Sequence, residues 1–258
     1  MLEGKTLVVC GVGPGLGSEI ARLAYRDGAN LVLAARTRAT LEAAAKEIDP
    51  SGARVEIVPT DIGDAGQCHA LAAAAVARFG RVDAVAQVAA LSTLFGGLAE
   101  VSAEDIARAA ATNLTGSLLV ARAMTAPMKA AGGGSIVLIG AQASFLPQVS
   151  QLAYAASKGG LRTAMYYMAK ELGPDRIRVN TVVPTWMWGP PVEGYLQGEA
   201  ERRGITLDEA IAEITDHFCI PEIPRDEDVA ESVIFLASDR ARMITGQYLL
   251  VNSGELMT

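Results

Sequence analysis

Residues 7–22 read LVVCGVGPGLGSEIAR, in which an apolar run halts at glycines and a pattern of helical period takes over. The physical reading is a buried strand, a tight turn and a helix N-terminus. Gly11, Gly13, Gly15 and Gly17 let the backbone take positive φ and approach a ligand that a Cβ would hold off. Free N–H groups and the positive end of the helix dipole then face that ligand, which suits a pyrophosphate. A glycine-rich loop can also be a plain turn; the flanking strand and helix supply the context of a dinucleotide site.

Working outward, strand-like apolar runs occupy 31–35, 55–58, 84–88, 136–139, 179–183 and 248–251, with helix-like stretches between most of them. This alternation indicates βαβ units, hence an α/β fold of Rossmann type: a doubly wound parallel sheet of about seven strands with helices on both faces. The regularity breaks once, at 186–224, where Pro, Gly and aromatic residues surround one helical stretch. Long insertions in compact domains are usually functional or mobile. This one enters after the sixth strand, at the carboxyl end of the sheet where ligands of open α/β folds sit, and reads as a substrate lid.

Half of the 258 residues are hydrophobic, enough for a sizeable core, and the uninterrupted pattern reads as one domain, 1–258. A net charge of −7 and a pI near 5.0 argue against nucleic acid, because tracking phosphates requires a basic stripe. No apolar run approaches the ~20 residues that span a bilayer, and residues 1–6 lead almost directly into the first strand. No membrane association and a cytoplasmic location are the expectation. Cys10, Cys68 and Cys219 lack metal-ligand spacing with His69 or His217 and read as buried or idle thiols, so no metal site is expected. His217 and Cys219 do not face each other on a helix, and no orienting acid is evident for them in the sequence.

In dinucleotide folds an acid at the end of the second strand bonds the adenosine ribose 2′-hydroxyl. This chain has no acid from 31 to 41 and carries Arg36 and Arg38. A guanidinium forms paired charge-assisted bonds to a 2′-phosphate, so Arg36 favours NADP(H), while the neutral Ala35 leaves NAD(H) possible. Asp61, after the third strand, can accept from an adenine amino group or serve as a plain turn acid.

Tyr154 and Lys158, in YAASK, stand four apart on an expected helix and share one face. A phenol has an unperturbed pKa of ~10, and a nearby ammonium favours the phenolate. With the glycine loop, the whole chain resembles the short-chain dehydrogenase/reductase family in its single-domain branch. Gly11-x-x-x-Gly15-x-Gly17 is similar to the family's cofactor motif, with Cys10 where threonine is usual. Asp61-Ile62 resembles the adenine-side acid motif, Asn113 in TNLTG the asparagine of the family's fourth helix, and Tyr154-x-x-Ser157-Lys158 the tyrosine–lysine motif. The ending Ile244-Thr245-Gly246-Gln247 is similar to its last-strand signature.

The resemblance implies hydride transfer between the nicotinamide and a carbonyl or secondary alcohol carbon, with Tyr154 passing the proton to or from oxygen. It implies that Lys158 bonds the nicotinamide ribose and lowers the Tyr154 pKa, and that Asn113 holds Lys158 through water. It also implies that Leu16, Ile62, Ala89 and Pro184 join the glycines, Arg36 and Asp61 at the cofactor. The family commonly assembles as tetramers, so a homo-oligomer, tetramer or dimer, is expected, and the small-residue stretches 106–111 and 153–169 are compatible with close helix packing.

The chain also departs from the pattern. The family's substrate-bonding serine, thirteen residues before the tyrosine, falls on Ala141 in IGAQAS. Removing one oxyanion-type donor typically costs ~10²–10³ in rate, and Gln142 and Ser144 are the nearby polar candidates to replace it. Gln87-Val88-Ala89-Ala90 replaces Asn-Asn-Ala-Gly after the fourth strand, and Pro184-Thr185 replaces Pro-Gly after the sixth.

Phe145, Leu146, Trp186, Met187, Trp188 and Tyr195, with Leu91, Leu94 and Phe95, would line an apolar pocket for a bulky ketone or alcohol as small-molecule substrate. Such residues also serve as core or subunit contact. Two alternatives to a redox enzyme stay open: a catalytically weak cofactor-binding protein, and a lyase or epimerase in which Tyr154 acts as a base without net hydride transfer.

Overall fold

All five residues of β1 (Thr6–Cys10) are buried, and the strand pairs in parallel with β2 (Asn30–Ala35) on one side and β4 (Ala84–Gln87) on the other. The computed structural model describes residues 1–147 and 149–257. β3 (Val55–Pro59) flanks β2; β5 (Gly134–Ile139), β6 (Ile177–Pro184) and β7 (Tyr248–Val251) extend the other side, giving the all-parallel order β3-β2-β1-β4-β5-β6-β7. This is the Rossmann-type sheet read from the sequence.

Burial on both faces explains why the strands read as unbroken apolar runs. Leu7, Val9, Leu31 and Leu33 pack with α1 (Leu16–Arg26), α2 (Arg38–Ile48) and α9 (Asp226–Ala237). The alternate residues Val8, Cys10, Val32 and Ala34 pack with α3 (Ala65–Phe79), α5 (Ser117–Ala130) and α6 (Leu152–Leu172). The chain reverses its direction of travel across the sheet between β3 and β4, so the turns after β1 and β4 diverge at the carboxyl ends and leave a crevice. Cys10, wholly buried here, has its thiol pushed far up by desolvation.

Between α4 (Ala103–Ala109) and α5, residues Ala110–Gly116 form a π-helical turn, a widened turn common at functional sites. The 186–224 segment contains two helices, α7 (Pro190–Arg203) and α8 (Leu207–Thr215), where the sequence suggested one. Gly204, in the left-handed region at φ 67°, ends the first, and a capping box between Thr206 and Glu209 starts the second. No helix among the described residues is long and apolar enough to cross a membrane.

The glycine turn is held by close approach. A Cβ at Gly17 would lie 2.1 Å from the Gly11 carbonyl oxygen, and one at Gly11 would lie 2.3 Å from the Ala89 nitrogen. Gly17→Ala is therefore expected to destabilise the chain by ~1–3 kcal/mol in urea unfolding. Gly13→Ala, whose Cβ would meet nothing within 4 Å, is expected to stay within ~0.5 kcal/mol of wild type.

Candidate active site

A cavity of about 990 Å³ runs along the carboxyl ends of the strands. At one end lies the N-terminus of α1, whose N-cap Gly15 offers no side-chain cap, so the first helical amides are left for a ligand. Gly11, Gly15 and Leu16 line the cavity; Gly13 and Gly17 stand behind its wall. There Gly13 accepts the Ser18 hydroxyl at 2.8 Å and Gly17 makes the close approach described above.

Asp226, the first residue of α9, also lines this end, within 3.3 Å of where a Gly15 Cβ would sit. Burial, then the charge of Glu19, raises its carboxyl pKa. Sequence reasoning missed Asp226 because only the packing of α9 on α1 brings it to the turn.

Beyond β2, Arg36 is exposed, lines the cavity and makes no ion pair among the described residues, whereas Arg38 faces Glu42 at 3.7 Å. Asp61 and the buried Ile62 line the same end. One Asp61 oxygen accepts the Gly63 amide at 2.9 Å, so the residue is a turn acid whatever else it bonds. Ala89 and Pro184 line the cavity further along.

At the other end, α6 presents Tyr154 and Lys158. The Lys158 Nζ donates to the Ile139 carbonyl at 2.7 Å and lies 5.8 Å from the Tyr154 ring centroid. Burial pushes the Tyr154 phenol up to about 12 and the Lys158 ammonium down to about 8. The expected lowering of Tyr154 by Lys158 is not seen in the chain alone: desolvation penalises the charged form of each group.

Asn113, fully buried in the π-helical turn, does not line the cavity. Its Oδ1 accepts from the Leu91 amide at 2.7 Å, and its Nδ2 donates to the Leu91 carbonyl at 3.0 Å and to Ser157 Oγ at 2.9 Å. Ser157 Oγ in turn donates to the Tyr154 carbonyl at 2.7 Å. The side chain thus clamps the loop after β4 to α6, beside Lys158.

The family profile described as Enoyl-(Acyl carrier protein) reductase matches residues 11–255. The chain belongs to the short-chain dehydrogenase/reductase family. It is 32% identical over 253 residues to D-threitol dehydrogenase of Mycolicibacterium smegmatis, covering 98% of this chain and 93% of that protein. A short-chain type dehydrogenase/reductase from Mycobacterium ulcerans superposes with a TM-score of 0.89 at 28% identity, covering 98% and 90% of the two chains. A substituted actinorhodin polyketide ketoreductase with NADPH superposes at 0.88 and 28% identity, covering 99% of each chain.

Against the short-chain dehydrogenase/reductase pattern, Ala141 is buried and lines the cavity without offering a donor. Ser144 does not line it, and its hydroxyl is spent on the Ala141 carbonyl at 2.8 Å. That local turn removes it from the set of substrate contacts expected from the sequence. Gln142 is buried and lines the cavity, with its Oε1 accepting from Asn252 Nδ2 at 2.8 Å. Gln87, in place of the usual asparagine, donates to the Ala89 carbonyl and to Ser117 Oγ, both at 3.2 Å, and so pins the loop after β4.

Trp186 lines the cavity and stacks on Tyr195 at 5.8 Å. Trp188 does not: its amide donates to the Pro224 carbonyl, and its side chain joins Arg22 and Glu227 in a separate surface groove. The short bridge Trp188↔Arg225 turns it away, so it is not placed as a substrate contact. Phe145 also leaves the pocket, packing edge-on against Tyr248 and under Arg162, and Leu94 does not line it. His217 has an acid beside it, Glu255 at 3.4 Å, from a segment that the sequence does not connect to it.

The depressed Lys158 pKa makes stability depend on pH. Between about 8 and the ordinary 10.5, Lys158 holds a proton in the unfolded chain that it has released in the folded one, so this group's contribution to stability rises with pH across that window. The expected slope is at most about 1.4 kcal/mol per pH unit. Buried Cys10 and Tyr154, with raised pKa values, act in the opposite direction from about pH 9 upward, so the readout is the difference: the change in urea midpoint from pH 8 to 10 should be more positive in the wild type than in Lys158→Met.

Proposed function

We propose that the chain is an NADP(H)-dependent oxidoreductase that interconverts a ketone and a secondary alcohol on a bulky apolar substrate. The observation that carries this reading is the placement of Tyr154 and Lys158 at one end of a cavity whose other end holds an uncapped helix N-terminus and an unpaired Arg36. The residues fit a dinucleotide: the α1 amides suit its diphosphate, Arg36 suits a 2′-phosphate, and Asp61 and Ile62 suit its adenine. The NADPH carried by the ketoreductase neighbour supports the same choice.

When bound, the cofactor supplies the hydride at its nicotinamide C4. Tyr154, a phenol at neutral pH as any tyrosine is and more firmly so for its burial, gives its proton to the substrate oxygen as the carbonyl carbon gains the hydride. Carbonyl, hydride and proton together make the alcohol. Lys158, charged below about pH 8, then stabilises the tyrosinate left behind.

Leu91, Phe95, Leu146, Trp186, Met187 and Tyr195 give the substrate end its apolar walls, and the 186–224 segment serves as lid through its first half. Ala141 is the observation that favours the weakly catalytic alternative. Exposed Ile106, Tyr166 and Tyr167 on α4 and α6 support a homo-oligomer, which sedimentation would register as a dimer or tetramer.

Fluorescence titration is expected to show tighter binding of NADPH than of NADH. Arg36→Ala should remove that preference with a loss of about tenfold or more, the ~1.4 kcal/mol worth of one good charge-assisted pair. Tyr154→Phe should retain NADPH binding and abolish reduction across a panel of cyclic, aryl and straight-chain ketones. Equal affinity for both cofactors would overturn the NADP(H) assignment, and wild-type turnover without net oxidation or reduction would favour the lyase or epimerase reading.

A further inference from the structure

Asp226 stands where two helix N-caps meet. Its Oδ2 lies 3.3 Å from where a Cβ on Gly15, the N-cap of α1, would sit, and 3.2 Å from where one on Gly189, the N-cap of α7, would sit. All three residues line the cavity. The carboxylate is half-buried, yet it makes no hydrogen bond or ion pair among the described residues. Burial and the Glu19 carboxylate both disfavour its charge. Arg22, in the adjoining surface groove, spends its guanidinium on Glu19 and Glu227.

Little else at this end of the cavity offsets the charge of an anion. Helix α7 begins with Pro190 and Pro191, which carry no amide hydrogen, and the Val192 and Glu193 amides donate to the Gly189 carbonyl. The cationic residues lining the cavity are Arg36, Arg108 and Lys158, among the described residues. Arg36 lies past β2, Lys158 sits beside Tyr154, and Arg108 pairs with Asp105 at 3.2 Å. The α1 amides are thus what draws a diphosphate to Gly15, and an uncompensated carboxylate stands beside them.

We propose that Asp226 limits cofactor affinity: its carboxylate opposes the cofactor diphosphate, so NADPH and NADH alike bind more weakly and leave faster than the α1 turn alone would allow. This rests on the oxidoreductase reading above and adds to it a residue that acts on the diphosphate rather than on the 2′-phosphate. Like charges near one another at a partly wet site repel, and every dinucleotide that carries the diphosphate feels that repulsion. On this reading Arg36 sets which cofactor is preferred, and Asp226 sets how long either one stays.

The test titrates the full chain with NADPH, NADH and adenosine 2′-monophosphate, which shares the adenine and 2′-phosphate of NADPH and lacks the diphosphate. Asp226→Asn keeps the size of the side chain, and Asp226→Ala brings no new donor. Each is expected to tighten NADPH and NADH together by roughly three- to tenfold at low salt, through slower dissociation. The gain should shrink as added salt screens the charge. The preference between NADPH and NADH, and the affinity for adenosine 2′-monophosphate, should stay at their wild-type values.

Unchanged or weaker binding of the dinucleotides overturns the proposal, as does a gain confined to one cofactor or shared by adenosine 2′-monophosphate. A gain in Asp226→Asn without one in Asp226→Ala also overturns it, because the new amide would then be its source. A crystal structure of the wild type with NADPH should place the Asp226 carboxylate within about 8 Å of a diphosphate oxygen, a Debye length at physiological salt, with no cation between them. A bridging cation overturns the proposal. Failure of the wild type and both variants to bind either dinucleotide overturns the oxidoreductase reading and this proposal with it, whereas binding that Asp226 does not alter overturns the proposal alone.

Discussion

The structure depends on one approach: α1 crosses the turn after β1 so closely that Gly17 has room only for a hydrogen against the Gly11 carbonyl. Gly11 in turn leaves no room for a Cβ against Ala89, on the loop after β4. Two strands on either side of the point where the sheet order reverses are thereby locked to one helix N-terminus. The crevice, the direction of the α1 dipole and the wall carrying Ala89 follow from that crossing.

A second constraint acts at the far end of the cavity. Placing a phenol and an ammonium together in a buried pocket moves both toward neutrality: Tyr154 up to about 12 and Lys158 down to about 8. The chain alone thus holds the proposed acid in its protonated state. The Asn113 side chain, by bonding both Leu91 and Ser157, fixes the wall against which that pair sits.

The C-terminal segment enters the site more than its position in the chain suggests. Asn252 reaches Gln142, Glu255 accepts from the Thr185 hydroxyl and lies beside His217, and Ser253 bonds Ile220 and Glu222. One short tail therefore ties the substrate end of the cavity to the base of the 186–224 segment. β7 lies beside β6 at the edge of the sheet, so residues following it fall over the β6 carboxyl end.

The strand runs, the parallel order of βαβ units and the glycine turn were legible in the sequence because each rests on local spacing or on a residue type with one steric role. Arg36, Asp61, Tyr154 and Lys158 were legible as chemistry, and all four line one cavity. Ser144 and Trp188 were misplaced because a hydroxyl three residues from a carbonyl, or an amide beside Pro224, can close a local bond that composition does not reveal. What the sequence by itself determined is the sheet, its cofactor crossing and the absence of a donor at 141. The tertiary structure alone decided that Asp226 faces the turn, that burial raises the Tyr154 phenol, and that Asn252 bonds Gln142. Each of these depends on groups far apart in the chain meeting away from water, where desolvation and unpaired donors carry their full cost.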